Sequence, residues 1–121
     1  GEILRLLHEA GVTLVAGSDA GSGFYGTIAG LQMHAELRAV AAAGIDPIDA
    51  LRMATSNAYE VSLRMGLKER FGVIQERLFA DLVVFDEDPR VSLEALDSIS
   101  SVFVQGNHYD SAWIESVLNG E

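Results

Sequence analysis

Asp19 is the residue whose type and surroundings most clearly suggest chemistry in this sequence. It follows a nearly unbroken apolar run, residues 12–17, and lies in a polar, glycine-rich stretch, residues 18–26. Loops at the C-terminal ends of the strands of an α/β protein often hold ligands, so this loop is the chemically interesting part of the sequence. In the alternative interpretation, Asp19 only closes a strand by an Asx-type turn.

The histidines offer Asp19 no partner at a suitable spacing. His34 is alone on a predicted helix face, where a histidine is more often packed or capped than a ligand, and we interpret it as structural. His8 lies on a preceding helix and His108 in a distal hairpin. The sequence contains no His-x-His pair, and a single carboxylate cannot fix a catalytic metal.

The composition excludes several classes of function. The 121 residues are 49% hydrophobic and 21% charged, as expected for one globular domain. A formal charge of -10 opposes nucleic-acid binding. Cysteine is absent, which rules out disulfides and thiolate sites, and we expect a cytoplasmic protein. Apolar runs fall short of the roughly 20 residues that cross a bilayer, so we expect no membrane partner.

The start, without Met or a signal-peptide pattern, suggests that the chain begins inside a longer gene.

The first half of the chain has the pattern of helices around one strand. Gly11 ends a predicted helix over residues 2–10, and the apolar run 12–17 predicts a strand buried on both faces. Further helices are predicted at 31–43, from Pro47 to Ala54 with Asp46 as the cap, and at 58–65.

The second half has β character. We predict strands at 73–74, 82–85 and 101–104, a tight reversal at 105–107 into 108–110, and a terminal helix at 112–118. Asp110 or Ser111 should cap that helix, and Asp81 and Asp86 should make turns beside the middle strand.

A doubly buried parallel strand requires parallel neighbours, each joined by a unit of about 30 residues. Only one such unit precedes the β-rich part, so we favour a piece of a larger α/β body. The alternative is a small self-contained sheet in which residues near Val12 pair with those near Leu82 and Val102.

Several short motifs follow one another in a specific order and spacing. They are Gly17-Ser18-Asp19-Ala20-Gly21, His34-Ala35-Glu36-Leu37, Ala43-Gly44-Ile45-Asp46-Pro47, Ala54-Thr55-Ser56-Asn57-Ala58, Gly72-Val73-Ile74 and Ala80-Asp81-Leu82-Val83-Val84. Together they resemble the C-terminal part of the metal-dependent amidohydrolases, especially imidazolonepropionase-like and prolidase-like members. Two features depart from that pattern: Arg77-Leu78-Phe79 stands where the family usually has Gly-Lys-Leu, and residues 59–65 form a longer stretch before Gly66.

This resemblance implies a fold and a site. Residues 1–67 would be the end of a TIM-like (β/α)8 barrel, and residues 68–121 would be strands of a small composite β-sandwich domain. Asp19 would ligate a divalent metal, with zinc the expected ion, and exchange a proton with the attacking water. Ser22, Phe24 and Tyr25 could contact the substrate, or could equally pack the loop.

Two functions are therefore compared. The first is a C-terminal fragment of an enzyme that hydrolyses C–N bonds in small-molecule amides, cyclic amides or dipeptides, inactive alone because the remaining metal ligands are missing. The second is a non-catalytic short protein that uses this part of the fold for binding or oligomerisation. The sequence leaves homo-oligomer formation open.

Overall fold

The computed structural model describes residues 1–20 and 31–120, so Ser22, Phe24 and Tyr25 lie outside the described residues. The described chain forms helices and one small antiparallel sheet. The helices are α1 (Glu2–Glu9), α2 (Leu31–Ala42), α3 (Pro47–Met53), α4 (Ser56–Arg64) and α5 (Ser111–Asn119), and the strands are β1 (Leu82–Phe85), β2 (Ile99–Val104) and β3 (Asn107–Asp110).

Most helix ends follow the local signals in the sequence. Gly11 has a left-handed φ of 76° just after α1, and Pro47 is the first residue of α3. The Asp110 carboxylate accepts a 2.8 Å hydrogen bond from the Trp113 amide, which confirms the predicted cap of α5. The predicted cap at Asp46 is wrong in one respect, because its side chain makes no capping hydrogen bond.

The sheet has the order β1-β2-β3, with both pairs antiparallel. Gln105 and Gly106 form the reversal between β2 and β3 with φ values of 49° and 83°, as a tight hairpin turn requires. The prediction of a strand at residues 73–74 is wrong. Val73 lies in a bend and Ile74 has no regular structure, because no strand of the described chain pairs with them, and Ile74 is 89% exposed.

The segment at residues 12–17 corrects a second prediction. It pairs with no strand among the described residues, and Val12 and Val15 are 46% and 47% exposed. The alternative of a small sheet that includes Val12 is also wrong, since β1 and β2 pair with each other instead. Both predictions fail for the same physical reason. A strand requires a neighbouring strand as hydrogen-bonding partner, and in the described chain residues 12–17 lie beside helices instead.

The core lies between the helices and a 3₁₀ turn, Leu93–Asp97, that the sequence patterns did not predict. Its buried side chains are Leu37, Val40, Ile45, Ala50, Met53, Leu93 and Leu96. Arg38 on α2 approaches Asp97 to 2.7 Å, and this contact lowers the pKa of the Asp97 carboxyl. The 3₁₀ turn therefore joins α2 by both apolar packing and charge.

Arg77 adopts a backbone conformation that favours glycine. Its φ is 69°, at the position where the resembled family has Gly. The turn is held by a 2.7 Å hydrogen bond from the Arg70 guanidinium to the Arg77 carbonyl, and Arg70 also covers the Phe79 ring at 4.7 Å. The tight turn therefore forms although the sequence lacks the usual glycine, and Arg77 has to adopt a left-handed backbone conformation that is unfavourable for a non-glycine residue.

Arg77→Gly should stabilise the chain. A left-handed conformation costs an ordinary L-residue about 1–2 kcal/mol, while glycine's greater freedom in the unfolded state offsets roughly half of that gain. We expect a net rise of up to about 1 kcal/mol in the free energy of unfolding, seen as a higher thermal midpoint. Arg77→Ala is the matched control, because it removes the same exposed side chain and keeps the strain. An equal effect of both substitutions would contradict the backbone explanation.

Candidate functional site

Asp19 lies on an exposed turn. The backbone φ of Asp19 is 50°. The residues on either side of Asp19 are joined by a 3.4 Å hydrogen bond, which the Ala20 amide donates to the Ser18 hydroxyl. A left-handed aspartate is uncommon, and such conformations concentrate at functional sites. The Asx-type turn considered above would use residue 21, which lies outside the described residues.

The segment before Asp19 is attached to the helix layer. The Ala16 amide donates to the Met53 carbonyl at 2.9 Å, and the Asn57 side-chain amide donates to the Leu14 carbonyl at 2.9 Å. Leu14 and Ala16 pack against the core, whereas the alternate residues, Val15, Gly17 and Asp19, are exposed. One side of the segment thus packs on the helices and the other side is exposed. Asp19 lies on the exposed side.

The histidines lie beside other acidic residues. His8 Nε2 is 3.4 Å from an Asp49 carboxylate oxygen, and His34 Nδ1 is 4.0 Å from Asp97. The ring of His108 stacks on Phe103 with centroids 4.7 Å apart. These contacts are separate from Asp19, which the structure brings together with none of the three.

A metal site cannot be built from the residues described. Across residues 1–20 and 31–120, no group of three or more His, Cys, Asp or Glu side chains could hold an ion. Catalytic zinc normally has three protein ligands and an open position. Asp19 is chemically suited to be one ligand, as an exposed carboxylate, but the donor set is incomplete.

A cavity of about 420 Å³ lies between the sheet and α5, two others lie beside the first four helices, and Asp19 lines none of the three. One of about 260 Å³ is bounded by residues 11–14 and by polar side chains that include His8, Asp49 and Glu60. The other, about 570 Å³ and mostly apolar, lies between α2, the α3–α4 connection and β1. Asp19 is therefore an exposed residue that lies outside these cavities.

Comparison with known proteins identifies the family. The model of the amidohydrolase family matches residues 2–108, which include Asp19, helices α1 to α4 and the sheet up to His108 in β3. This chain belongs to the amidohydrolase family. The predicted family is thereby confirmed, whereas the imidazolonepropionase-like or prolidase-like subfamily stays a prediction.

Solved structures agree at the level of the fold. The chain is similar to molinate hydrolase, with a TM-score of 0.71 and 25% identity over 88% of its length. It is also similar to a crystal structure of an amidohydrolase, with a TM-score of 0.65 and 23% identity over 88% of its length. It spans 25% of each of these larger chains. No curated protein matches it. In the described residues, no helix is long and apolar enough to cross a membrane.

One residue of the site region was missed by sequence reasoning. Asn57 was noted only as part of a family motif, yet its side chain contacts Leu14, 43 positions earlier in the chain. The motif was the available signal, but nothing local in the sequence tells which segment an asparagine on a helix will reach.

Proposed function

We propose that this chain is the C-terminal part of a metal-dependent amidohydrolase that hydrolyses C–N bonds. The observation that carries the proposal is the position of Asp19: exposed, on a left-handed turn, at the end of a helix-anchored segment within the family match. The proposed substrates are small-molecule amides, cyclic amides or dipeptides in the cytoplasm. Within the complete enzyme, residues 1–67 would end the barrel and residues 68–121 would contribute strands to the small β-domain.

Asp19 has the chemistry for proton transfer in this reaction. Amide hydrolysis moves a proton from the attacking water to the departing nitrogen, and a carboxylate can take up this proton and then deliver it. The exposed side of the segment leaves Asp19 free to meet water and substrate. We expect zinc in the complete enzyme with Asp19 as one ligand, and further ligands are required because the described residues do not complete a site.

The alternative is a non-catalytic binding or oligomerisation module. It is favoured by the apolar face of α1, where Ile3 and Leu6 are 75% and 53% exposed. An apolar face of this kind requires a partner, which could be the rest of an enzyme or another protein. The family match does not distinguish these partners, whereas activity does.

The complete protein to which this chain is proposed to belong should hydrolyse at least one C–N substrate in a metal-dependent manner. The assay uses N-acyl amino acids, dipeptides and cyclic amides, together with molinate because of the similar molinate hydrolase. Turnover should fall to background after chelation and return when zinc is added, because a bound cation activates water and polarises the carbonyl. Chelator-resistant turnover would contradict metal dependence, and a metal-loaded protein that is inactive on every class would favour the binding module.

A further inference from the structure

The α3–α4 connection, taken together with the helix ends beside it as residues 53–57, holds the segment that leads to Asp19. Two hydrogen bonds, each 2.9 Å long, join them: Ala16 N–H to the Met53 carbonyl, and the Asn57 carboxamide to the Leu14 carbonyl. The second bond comes from a partly buried side chain and satisfies a backbone carbonyl of the segment. In a sheet, a neighbouring strand would provide such partners, and here the helix connection provides them.

The connection is shaped to make these contacts. In a continuous helix the Met53 carbonyl would accept from the Asn57 amide, but Thr55 has φ -132° and ψ -95° and interrupts the helix. The Thr55 hydroxyl donates to the Leu51 carbonyl at 2.7 Å across this interruption. Gly72 packs onto it so closely that a Cβ there would lie 3.0 Å from the Thr55 carbonyl oxygen. The Thr55 hydroxyl bond and the close packing of Gly72 therefore both stabilise the helix break. Because the helix is interrupted there, the Met53 carbonyl can accept the hydrogen bond from the Ala16 amide.

From this arrangement we propose that Asn57 is a positioning residue for Asp19. The inference rests on the proposed function. Asn57 anchors residue 14, Met53 anchors residue 16, and the turn that begins at Ser18 presents the carboxylate only three residues after the second anchor. A displacement of about 1 Å at a reacting group can lower a rate by about 10²-fold. Without the carboxamide the Leu14 carbonyl would lose its partner, and the segment would lose one of the two hydrogen bonds that join it to the α3–α4 connection.

The test uses Asn57→Ala and the size-preserving Asn57→Asp in the complete, metal-loaded protein. We expect kcat to fall by roughly 10- to 100-fold with KM changed much less, because the acid–base group is misplaced while other binding contacts remain. Hydrogen exchange at the Ala16 amide should become faster in the same variants. This second measurement reports the anchor directly and does not depend on catalysis.

Ser62→Ala is the matched control. The buried Ser62 hydroxyl donates to the Tyr59 carbonyl at 2.7 Å within α4, so its loss perturbs the same helix without touching the segment. Ser62→Ala should leave both kcat and Ala16 exchange close to wild type, whatever its effect on the thermal midpoint. If Asn57→Ala does not fold, Asn57→Asp is judged by the same criteria, and failure of both to fold would assign Asn57 to general stability and overturn the inference.

The outcomes separate this inference from the proposed function. If Asn57→Ala keeps wild-type kcat, or loses no more than Ser62→Ala, while Asp19→Asn is inactive, the positioning role is wrong and the function stands. If Asp19→Asn is itself active, the catalytic role of Asp19 is wrong, and if the complete metal-loaded protein hydrolyses none of the substrates, the proposed function is wrong. In either case Ala16 exchange still decides whether Asn57 anchors the segment.

Discussion

Asp19→Asn in the complete enzyme is expected to lower kcat by well over about 10²-fold, with substrate affinity and folding affected much less. General acid–base groups contribute typically about 10²- to 10⁴-fold. Asparagine keeps the size of the side chain and one potential ligand oxygen, but it has no charge and cannot take up the proton. The lost interaction belongs mainly to the transition state, so the effect should appear in kcat.

The measurement is a set of steady-state assays across titrations of zinc, manganese and cobalt. Saturation with each metal separates loss of proton transfer from simple loss of the ion. Asp46→Asn is the control, since Asp46 is exposed and makes no capping hydrogen bond, and it should keep wild-type kcat. If Asp19→Asn retains more than about a tenth of wild-type kcat with all three metals, a factor too small for a lost acid–base group, Asp19 is only a turn residue.

The 121-residue chain alone is expected to self-associate and to show no amidase or dipeptidase turnover with added zinc. Val12 and Val15 on the segment, and Ile3 and Leu6 on α1, form exposed apolar surfaces that the remainder of a barrel would cover. Segment 12–17 also has backbone groups that no strand of the described chain pairs. Inactivity follows from the incomplete set of metal donors among the described residues.

Sedimentation velocity, thermal unfolding and assays with zinc test this expectation, with the complete protein at the same concentration as the control. The isolated chain should sediment as a mixture of associated species and unfold over a broad range of temperature. A monodisperse monomer with a sharp cooperative transition would contradict the self-association. Metal-dependent turnover by the isolated chain that disappears in Asp19→Asn would show that the catalytic site is complete within it.

The elements that were predicted correctly depend on near neighbours in the chain. Gly11, Pro47 and Asp110 mark helix ends, because the missing side chain, the fixed ring and the short carboxylate act on backbone within one turn. Gln105-Gly106 determined the hairpin for the same reason. The ordered motifs from Gly17 to Val84 were sufficient for the family, which the match over residues 2–108 confirms.

What failed or was missed depends on distant partners. The apolar pattern of residues 12–17 describes a strand, but pairing requires neighbouring strands that the described chain does not provide. The 3₁₀ turn at Leu93–Asp97 is short and carries no distinctive periodicity, and it is stabilised by packing on α2. The positive φ of Arg77 could not be predicted from the sequence, because arginine normally favours a negative φ.

The sequence by itself determined the family, the ends of most helices, the hairpin and Asp19 as the candidate residue. Only the tertiary structure showed that Asn57 reaches back 43 residues to Leu14, that the Met53 carbonyl is available to Ala16, and that the exposed side of the segment carries Asp19. The physical reason is range. Dihedral preferences and capping bonds act over a few residues and can be identified locally, whereas a hydrogen bond between distant segments exists only after packing has brought its donor and acceptor together.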